Sequence, residues 1–232
     1  MSTNYLAPTA AELEREWGLT VADDWQTDIG PGEYAPIIRR YGVGAAAQRE
    51  AVLARFGLLP ASAKAAKPAA STVNARTETA ASRSSFKGAW AGRQWCIVPA
   101  QCFYVPYYAD GARRSERWRI RRTDRSPLSI AGLWDRWVGD NGESIVSFSI
   151  LTLNCDLHPL LARFQRAPNE KRTPVLLAEE DFDAWLDAPP ARAPVYFGTF
   201  GKDDLEAEPA PVAASSRRST LMMPLDTAIS EL

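Results

Sequence analysis

The feature that most constrains the fold of this 232-residue chain is a series of short β-type segments in its centre. They lie at 93–98, 100–105, 117–122, 128–134 and 145–152. Each is rich in β-branched or aromatic residues and is bounded by turn residues, which is typical of strands. Their hairpin order, with few and scattered helices, predicts an α+β fold built around a curved, mostly antiparallel β-sheet.

Other segments of the chain fill in this picture. Thr9 to Glu12 is a capping-box pattern that predicts a helix to about Trp17. Further strands are expected at 35–41, 52–59 and 174–177, and further helices at 77–90, 157–164 and 179–186. The Ala-, Lys- and Pro-rich segment 60–72 is expected to be an exposed loop. We therefore expect one domain over 1–207, followed by a flexible tail over 208–232.

The charge balance limits the kind of partner. Twenty-seven basic residues against 28 acidic ones give a net charge of −1, so any nucleic-acid site must be a local patch. Three cysteines without zinc-type spacing and a single histidine predict neither metal nor cofactor. No apolar run is long enough to span a membrane, and the first residues lack a secretory pattern, so we expect a cytoplasmic protein of bacterial or phage origin.

The motifs that indicate function lie between Val73 and Val105. Asn74-Ala-Arg76 leads to Glu78, a Cys-Ile-Val-Pro-Ala segment ends at Ala100, and Phe-Tyr immediately precedes Val105. With Ala-Gly-Leu-Trp at 131–134 and Arg-Thr-Pro at 172–174, this order resembles the SOS-response-associated peptidase (SRAP) family. The resemblance implies the barrel-like SRAP fold, a monomer, and attachment to abasic sites in single-stranded DNA.

The same resemblance locates the family's catalytic residues, and all three are substituted. Its N-terminal cysteine falls on Ser2, whose hydroxyl is a far poorer nucleophile than a thiolate. Its glutamate falls on Val105, which can move no proton. Its histidine falls on Gln165, or on Glu170 in a shorter alignment. We therefore expect the covalent crosslinking and autopeptidase chemistry to be lost or weakened.

The residues that bind DNA in the family are better kept. Asn74 and Arg76 match its Asn-x-Arg motif, and an arginine at such a position can hold a phosphate bidentately. Glu78 is expected either to pair with Arg76 or to favour the first turn of a helix. Pro31 lies in a turn that, by resemblance, borders the DNA groove.

A second basic segment, 117–121, allows two interpretations. Arg117, Arg119 and Arg121 alternate with apolar residues, so they share one face of a strand. That face could follow the phosphates of a single strand, or it could be a solvated hairpin surface. Two further residues, His158 and Cys102, are expected to be structural.

Three functions remain open at this point. The first is a single-stranded DNA and abasic-site binding protein with little or no catalysis. The second is an active sensor in which the Ser2 amine, exposed after removal of Met1, forms a Schiff base with the abasic aldehyde. The third is a non-enzymatic interaction protein encoded by a phage.

Overall fold

The computed structural model describes residues 4–42, 47–66, 70–166 and 169–212. Twelve strands and three short α-helices make up its regular structure within these ranges. The strands are β1 (Tyr5–Leu6), β2 (Asp28–Ile29), β3 (Tyr34–Tyr41), β4 (Gln48–Phe56), β5 (Asn74–Arg76), β6 (Trp95–Ala100), β7 (Cys102–Tyr107), β8 (Glu116–Arg122), β9 (Leu128–Val138), β10 (Ser144–Asn154), β11 (Arg172–Pro174) and β12 (Leu205–Pro209). The helices are α1 (Ala10–Trp17), α2 (Lys87–Ala91) and α3 (Phe182–Leu186).

The strands form two sheets. The smaller is antiparallel with the order β12-β8-β7-β1-β2. In the larger sheet β10 pairs with both β4 and β9, so that β10-β4-β3-β6-β9 closes into a five-stranded barrel. Strands β5 and β11 extend this sheet from β10, and only the β4–β10 and β5–β10 pairs are parallel. The predicted curved, barrel-like and mostly antiparallel fold with few peripheral helices is confirmed.

The main hydrophobic core joins the two sheets. Phe103 and Ile120 of the smaller sheet and Phe56 and Phe148 of the larger one belong to the same buried cluster. A second cluster lies beneath α2 and α3, where the ring centroids of Trp95 and Trp185 are 4.8 Å apart. The two clusters fix the larger sheet on both of its faces.

The helices are fewer and shorter than the sequence predicts. Helix α1 is as expected, with Thr9 as its N-cap in a capping box and Gly18 in a left-handed conformation (φ 66°) at its end. The helix predicted over 77–90 is wrong, because the segment forms successive turns and only Lys87–Ala91 is helical. Its run of Thr and Ser residues competes with helical hydrogen bonding. The helix predicted over 157–164 reduces to a 3-10 turn, Leu161–Arg163.

The end of the domain also differs from the prediction. Strand β12 runs to Pro209, two residues beyond the predicted boundary at 207, and pairs with β8 along its whole length. Glu206 and Glu208, which composition placed at the start of a tail, pair there with arginines of β8. Residues 213–232 lie outside the described part of the chain.

The aromatic contacts of Phe56 generate a stability prediction. Its ring stacks on Phe148 at 5.1 Å and meets the edge of Tyr5 at 5.6 Å between centroids. Phe56→Ala should lower the free energy of unfolding by about 3–5 kcal/mol, because it leaves a cavity in the core. Urea denaturation measures this loss.

The matched control removes an apolar side chain that packs against nothing. Leu157 is 96% exposed, so Leu157→Ala should change the free energy of unfolding by no more than about 0.5 kcal/mol. Equal effects of the two variants would contradict the packing of Phe56 in the core.

Candidate DNA-binding site

Strand β5 presents the two residues of the Asn-x-Arg motif. It pairs in parallel with β10, opposite Ile150 to Thr152. Asn74 and Arg76 are alternate residues of the strand, so they lie on the same face. Asn74 is buried, whereas 47% of the Arg76 side chain is exposed. The motif therefore joins a buried amide to a guanidinium that solvent can reach.

A buried arginine organises the surroundings of Arg76. The side chain of Arg172 is 1% exposed and donates to the Thr152 carbonyl at 2.6 Å. It also pairs with Glu78 at 2.7 Å and with Glu170 at 2.6 Å. The other oxygen of Glu170 lies 3.0 Å from the Arg76 guanidinium. We call these four charged residues, Arg76, Glu78, Glu170 and Arg172, the Arg172 network.

The partner of Glu78 corrects one expectation from the sequence. Its ion pair is with Arg172, and Glu170 takes the place beside Arg76 that was expected for Glu78. The pKa of Glu78 is lowered from its usual 4.5. Partial burial alone would raise this pKa, but the Arg172 hydrogen bond, its own backbone N–H and the positive charges outweigh that effect.

Gln165 is held by backbone contacts on both sides. Its N–H donates to the Pro106 carbonyl at 2.8 Å, and its side-chain Nε2 donates to the Arg172 carbonyl at 2.6 Å. Its φ of 65° is in the left-handed region, which is uncommon for a residue other than glycine. The Gln165 amide thus ties the end of one loop to β11.

Two adjoining cavities meet at Pro106, and we call them together the Pro106 site. One has a volume of about 250 Å³ and contains Val105; the other, of about 330 Å³, contains Arg76 and Gln165. The first is lined by Asn4, Tyr104, Val105, Pro106, Ser115, Glu116 and Arg117. The second is lined by Arg76, Pro106, Tyr108, Gln165, Arg166, Asn169, Glu170 and Arg172.

The Pro106 site therefore brings together most of the residues that the resemblance singled out. Val105 lies in one cavity, Arg76 and both alternatives for the histidine position lie in the other, and Asn74 is two residues from Arg76 along β5. Ser2 lies outside the described residues. Pro31 is in an exposed turn and does not line either cavity.

Several lining residues were not expected from the sequence as site residues. Tyr108, Arg166 and Asn169 carry no recognisable motif, and Arg172 was noted only as part of a core strand. The signal that could have found Arg172 is the Glu-Lys-Arg triplet at 170–172, which places opposite charges beside the Arg-Thr-Pro strand.

The arginines of β8 share one face, as predicted, and each has an acidic partner. Arg117 pairs with Asp28 at 2.8 Å and its guanidinium lies 3.3 Å from the Tyr104 ring centroid. Arg119 pairs with Glu208 at 2.7 Å, and Arg121 pairs with Glu206 at 2.6 Å. This pairing favours a structural role for the row, with the carboxylates of β12 neutralising it.

The single histidine has the structural contacts that the sequence suggested. His158 Nδ1 accepts hydrogen bonds from the N–H groups of Leu160 and Leu161 at 3.2 and 3.1 Å. Its proton is then on Nε2, which donates to the Phe200 carbonyl at 2.9 Å. His158 therefore stabilises a turn and fastens it to the segment that leads into β12.

The cysteines offer no activated thiol. Burial raises the pKa of all three, to about 11 for Cys155, where Asp156 adds to the effect. Cys102 is 2% exposed, in keeping with a packed strand residue. Thiols with raised pKa values are protonated near neutral pH and are poor nucleophiles.

The described residues contain neither a metal-ligand cluster nor a helix that could span a membrane. No group of three or more histidine, cysteine or acidic side chains there is arranged to hold a metal ion. Among the helices of the same ranges, none has the length and apolar character needed to cross a membrane.

Known proteins resemble this chain in sequence and in fold. Residues 4–212 match the family described as SOS response associated peptidase (SRAP). The abasic site processing protein YobE of Bacillus subtilis is 30% identical over 162 residues, which cover 66% of this chain and 67% of YobE. The abasic site processing protein HMCES of Rattus norvegicus is 26% identical over 166 residues, which cover 57% of this chain and 44% of HMCES.

Solved structures agree with these matches. A crystal structure of a Bordetella bronchiseptica protein superposes with a TM-score of 0.81 at 32% identity, covering 90% of this chain and all of that one. A Bacteroides thetaiotaomicron protein superposes with a TM-score of 0.74 at 22% identity, covering 89% of this chain and 90% of that one. Both support the fold.

The lowered pKa of Glu78 generates a pH-dependent prediction. A carboxylate whose pKa is lower in the folded state stabilises the protein above its usual pKa of 4.5. That contribution is lost as the pH falls through the folded-state value. Glu78→Gln should therefore destabilise the protein by up to about 1 kcal/mol near neutral pH, since half of the side chain is exposed.

Urea denaturation of the wild type and Glu78→Gln, at about pH 7 and about pH 3, measures the difference. The difference should shrink at the acidic pH, because protonation of the wild-type Glu78 removes the charge that the variant lacks. Glu14→Gln, on the exposed side of α1, is the control and should leave stability unchanged at both. A constant difference at both pH values would show that Glu78 does not act through its charge.

Proposed function

This chain belongs to the SOS response associated peptidase family, and from that premise we propose that it binds single-stranded DNA at abasic sites. The observation that carries the proposal is the half-exposed guanidinium of Arg76 at the edge of a cavity of about 330 Å³. Its relatives from Bacillus and from mammals are named abasic site processing proteins, which supports DNA as the ligand.

Arg76 is suited to hold a phosphate beside the lesion. Its guanidinium meets a carboxylate, Glu170, in the free protein, and a phosphate presents the same planar pair of oxygens. Glu170 keeps Arg172 and Asn154 as partners when Arg76 turns to DNA, because their contacts are at its other oxygen. When Arg76 exchanges Glu170 for a phosphate, the Glu170 carboxylate therefore still has hydrogen-bond partners.

The cavity of about 330 Å³ beside Arg76 is the place proposed for the abasic sugar. Asn74 lies on the same face of β5, in position to orient the sugar or the strand. Phosphate contacts of this kind position DNA and do not read its sequence.

The covalent chemistry is proposed to be lost or weakened. Val105 is 4% exposed and belongs to the hydrophobic core, so no proton donor stands at the position of the family's glutamate. The Gln165 amide is engaged with the backbone of Arg172 and cannot exchange protons as a histidine does. Glu170, the alternative position, is held in ion pairs with the guanidiniums of Arg76 and Arg172.

A second function keeps the chain an enzyme. Asn4 lines the cavity that contains Val105, and Ser2 precedes it by two residues, or about 7 Å of extended chain. An amine on Ser2 would then be within reach of an abasic aldehyde. It would form a Schiff base with loss of water, without the thiol that closes a stable ring.

Arg76 and Glu170 should have opposite effects on binding. Arg76→Ala should weaken binding to a single strand with one abasic site by about 10- to 150-fold, because it removes a charge-assisted phosphate contact. Glu170→Gln should strengthen binding by up to about fivefold, because it releases Arg76 from an ion pair. Fluorescence anisotropy over a salt series measures both.

The salt series also separates a phosphate contact from a change of fold. Arg76→Ala should reduce the slope of log affinity against log salt by about 0.7. Arg15→Ala is the control, because Arg15 is exposed and paired with Glu16 on α1 and lines neither cavity. If the wild type shows no salt-sensitive preference for single strands, the chain is better explained as an interaction protein.

The proposed loss of chemistry is tested by trapping. After incubation with an abasic oligonucleotide, the wild type should give no adduct that survives heat and detergent on a gel. Ser2→Cys should give one, because a thiol next to the amine can close a thiazolidine with the aldehyde. Acetylation of the N-terminus of this variant is the control and should abolish the adduct.

Two results would change this assignment. An adduct of the wild type that requires borohydride would identify Ser2 as a Schiff-base amine and favour the second function. A stable adduct of the wild type without borohydride would contradict the loss of covalent chemistry.

A further inference from the structure

Tyr108 and Arg166 form a pair at the mouth of the cavity that contains Arg76. Both line that cavity, and neither was expected from the motifs. Tyr108 is partly exposed just after the end of β7, and Arg166 is exposed just after Gln165. Their role is not explained by the phosphate and sugar contacts assigned to Arg76 and Asn74.

The spacing of this pair differs from that of a packed pair in the same protein. The Arg166 guanidinium lies 5.7 Å from the centroid of the Tyr108 ring. The corresponding distance for Arg117 and Tyr104 is 3.3 Å, which is direct stacking. Cation–π attraction fades beyond about 6 Å, so the Tyr108–Arg166 pair is near the limit of this interaction. The two groups are neighbours but are not in direct stacking contact.

The backbone holds the pair in place. The N–H of Gln165 donates to the Pro106 carbonyl, which fixes the residue before Arg166 against the end of β7, next to Tyr108. The left-handed conformation of Gln165 turns the chain there, and the Asn169 N–H donates to the Arg166 carbonyl at 3.0 Å. A planar ring with a guanidinium over it, at 5.7 Å, is thus presented at the cavity.

Such a pair suits one class of ligand. Unstacked bases in single strands bind to aromatic rings and to the planes of guanidinium groups. The amide of Asn169, which lines the same cavity, can donate to and accept from a base edge. A volume of about 330 Å³ lies within the range of about 300–1,000 Å³ that is usual for small-ligand clefts, and an abasic sugar alone would leave part of it empty.

We propose that Tyr108 and Arg166 bind the nucleobase next to the abasic position, while Arg76 holds the backbone. This inference rests on the proposed function, because it assigns a second part of the same DNA ligand. It explains how the protein could hold a single strand in a fixed register. Stacking of the neighbouring base would place the abasic nucleotide over the inner part of the cavity.

The test uses two oligonucleotides that differ only in bases. The first carries tetrahydrofuran, a stable abasic analogue, at one central position. The second carries it at that position and at both neighbours, so the phosphates are the same and the flanking bases are gone. Fluorescence anisotropy gives the dissociation constants of the wild type and of each variant.

Tyr108→Ala should weaken binding to the first oligonucleotide by about 5- to 150-fold, the usual effect of removing a stacked aromatic ring. It should leave binding to the second unchanged. Tyr108→Trp should bind both as the wild type does. Arg166→Lys keeps the charge and loses the planar group, so it should weaken binding to the first oligonucleotide alone and leave the salt slope unchanged.

Tyr41→Ala is the matched control, since Tyr41 is 66% exposed at the end of β3 and does not line the Pro106 site. It should bind both oligonucleotides as the wild type does. If Tyr108→Ala weakens binding to both equally, or to neither, the base subsite is wrong while the proposed function stands. If the wild type binds neither oligonucleotide, the proposed function itself fails.

Discussion

The buried guanidinium of Arg172 is the contact on which the rest of the site depends. It lies on β11, donates to β10 through Thr152, and holds Glu78 beyond β5 and Glu170 beside Arg76. A charge with 1% exposure is tolerated only when its hydrogen bonds are satisfied, and here the guanidinium donates to oxygens of Thr152, Glu78 and Glu170. Loss of Arg172 would remove the cation that pairs with both Glu78 and Glu170.

The fold was largely predictable because each of its central strands has a clear β-type pattern within its own short segment. The runs between 93 and 152 became β6 to β10, since alternating apolar residues there can be buried only by sheet pairing. The segment 77–90 was misjudged because its helix-forming residues are interrupted by Thr and Ser, whose side chains compete for the backbone. Strand β12 was missed because its Glu residues look like a tail until their partners on β8 are known.

The site likewise contains residues that the sequence indicated and residues that it did not. Asn74 and Arg76 were recognisable because both lie in one three-residue motif on one strand. Tyr108 and Arg166 come from two loops that are distant in sequence, and nothing local indicates that they share a cavity. The partner of Glu78 was misassigned for the same reason, because Arg172 is 94 residues away while Arg76 is a neighbour.

The pairing of β8 with β12 has a consequence for how this protein would find its target. With the arginines of β8 neutralised by Asp28, Glu206 and Glu208, and a net charge of −1, the exterior offers undamaged DNA little long-range attraction. Electrostatic attraction to phosphates supplies most of the non-specific affinity of DNA-binding proteins and lets them slide along the duplex. If the proposed function holds, a protein without this attraction would meet DNA by free diffusion and stay only where a strand fits.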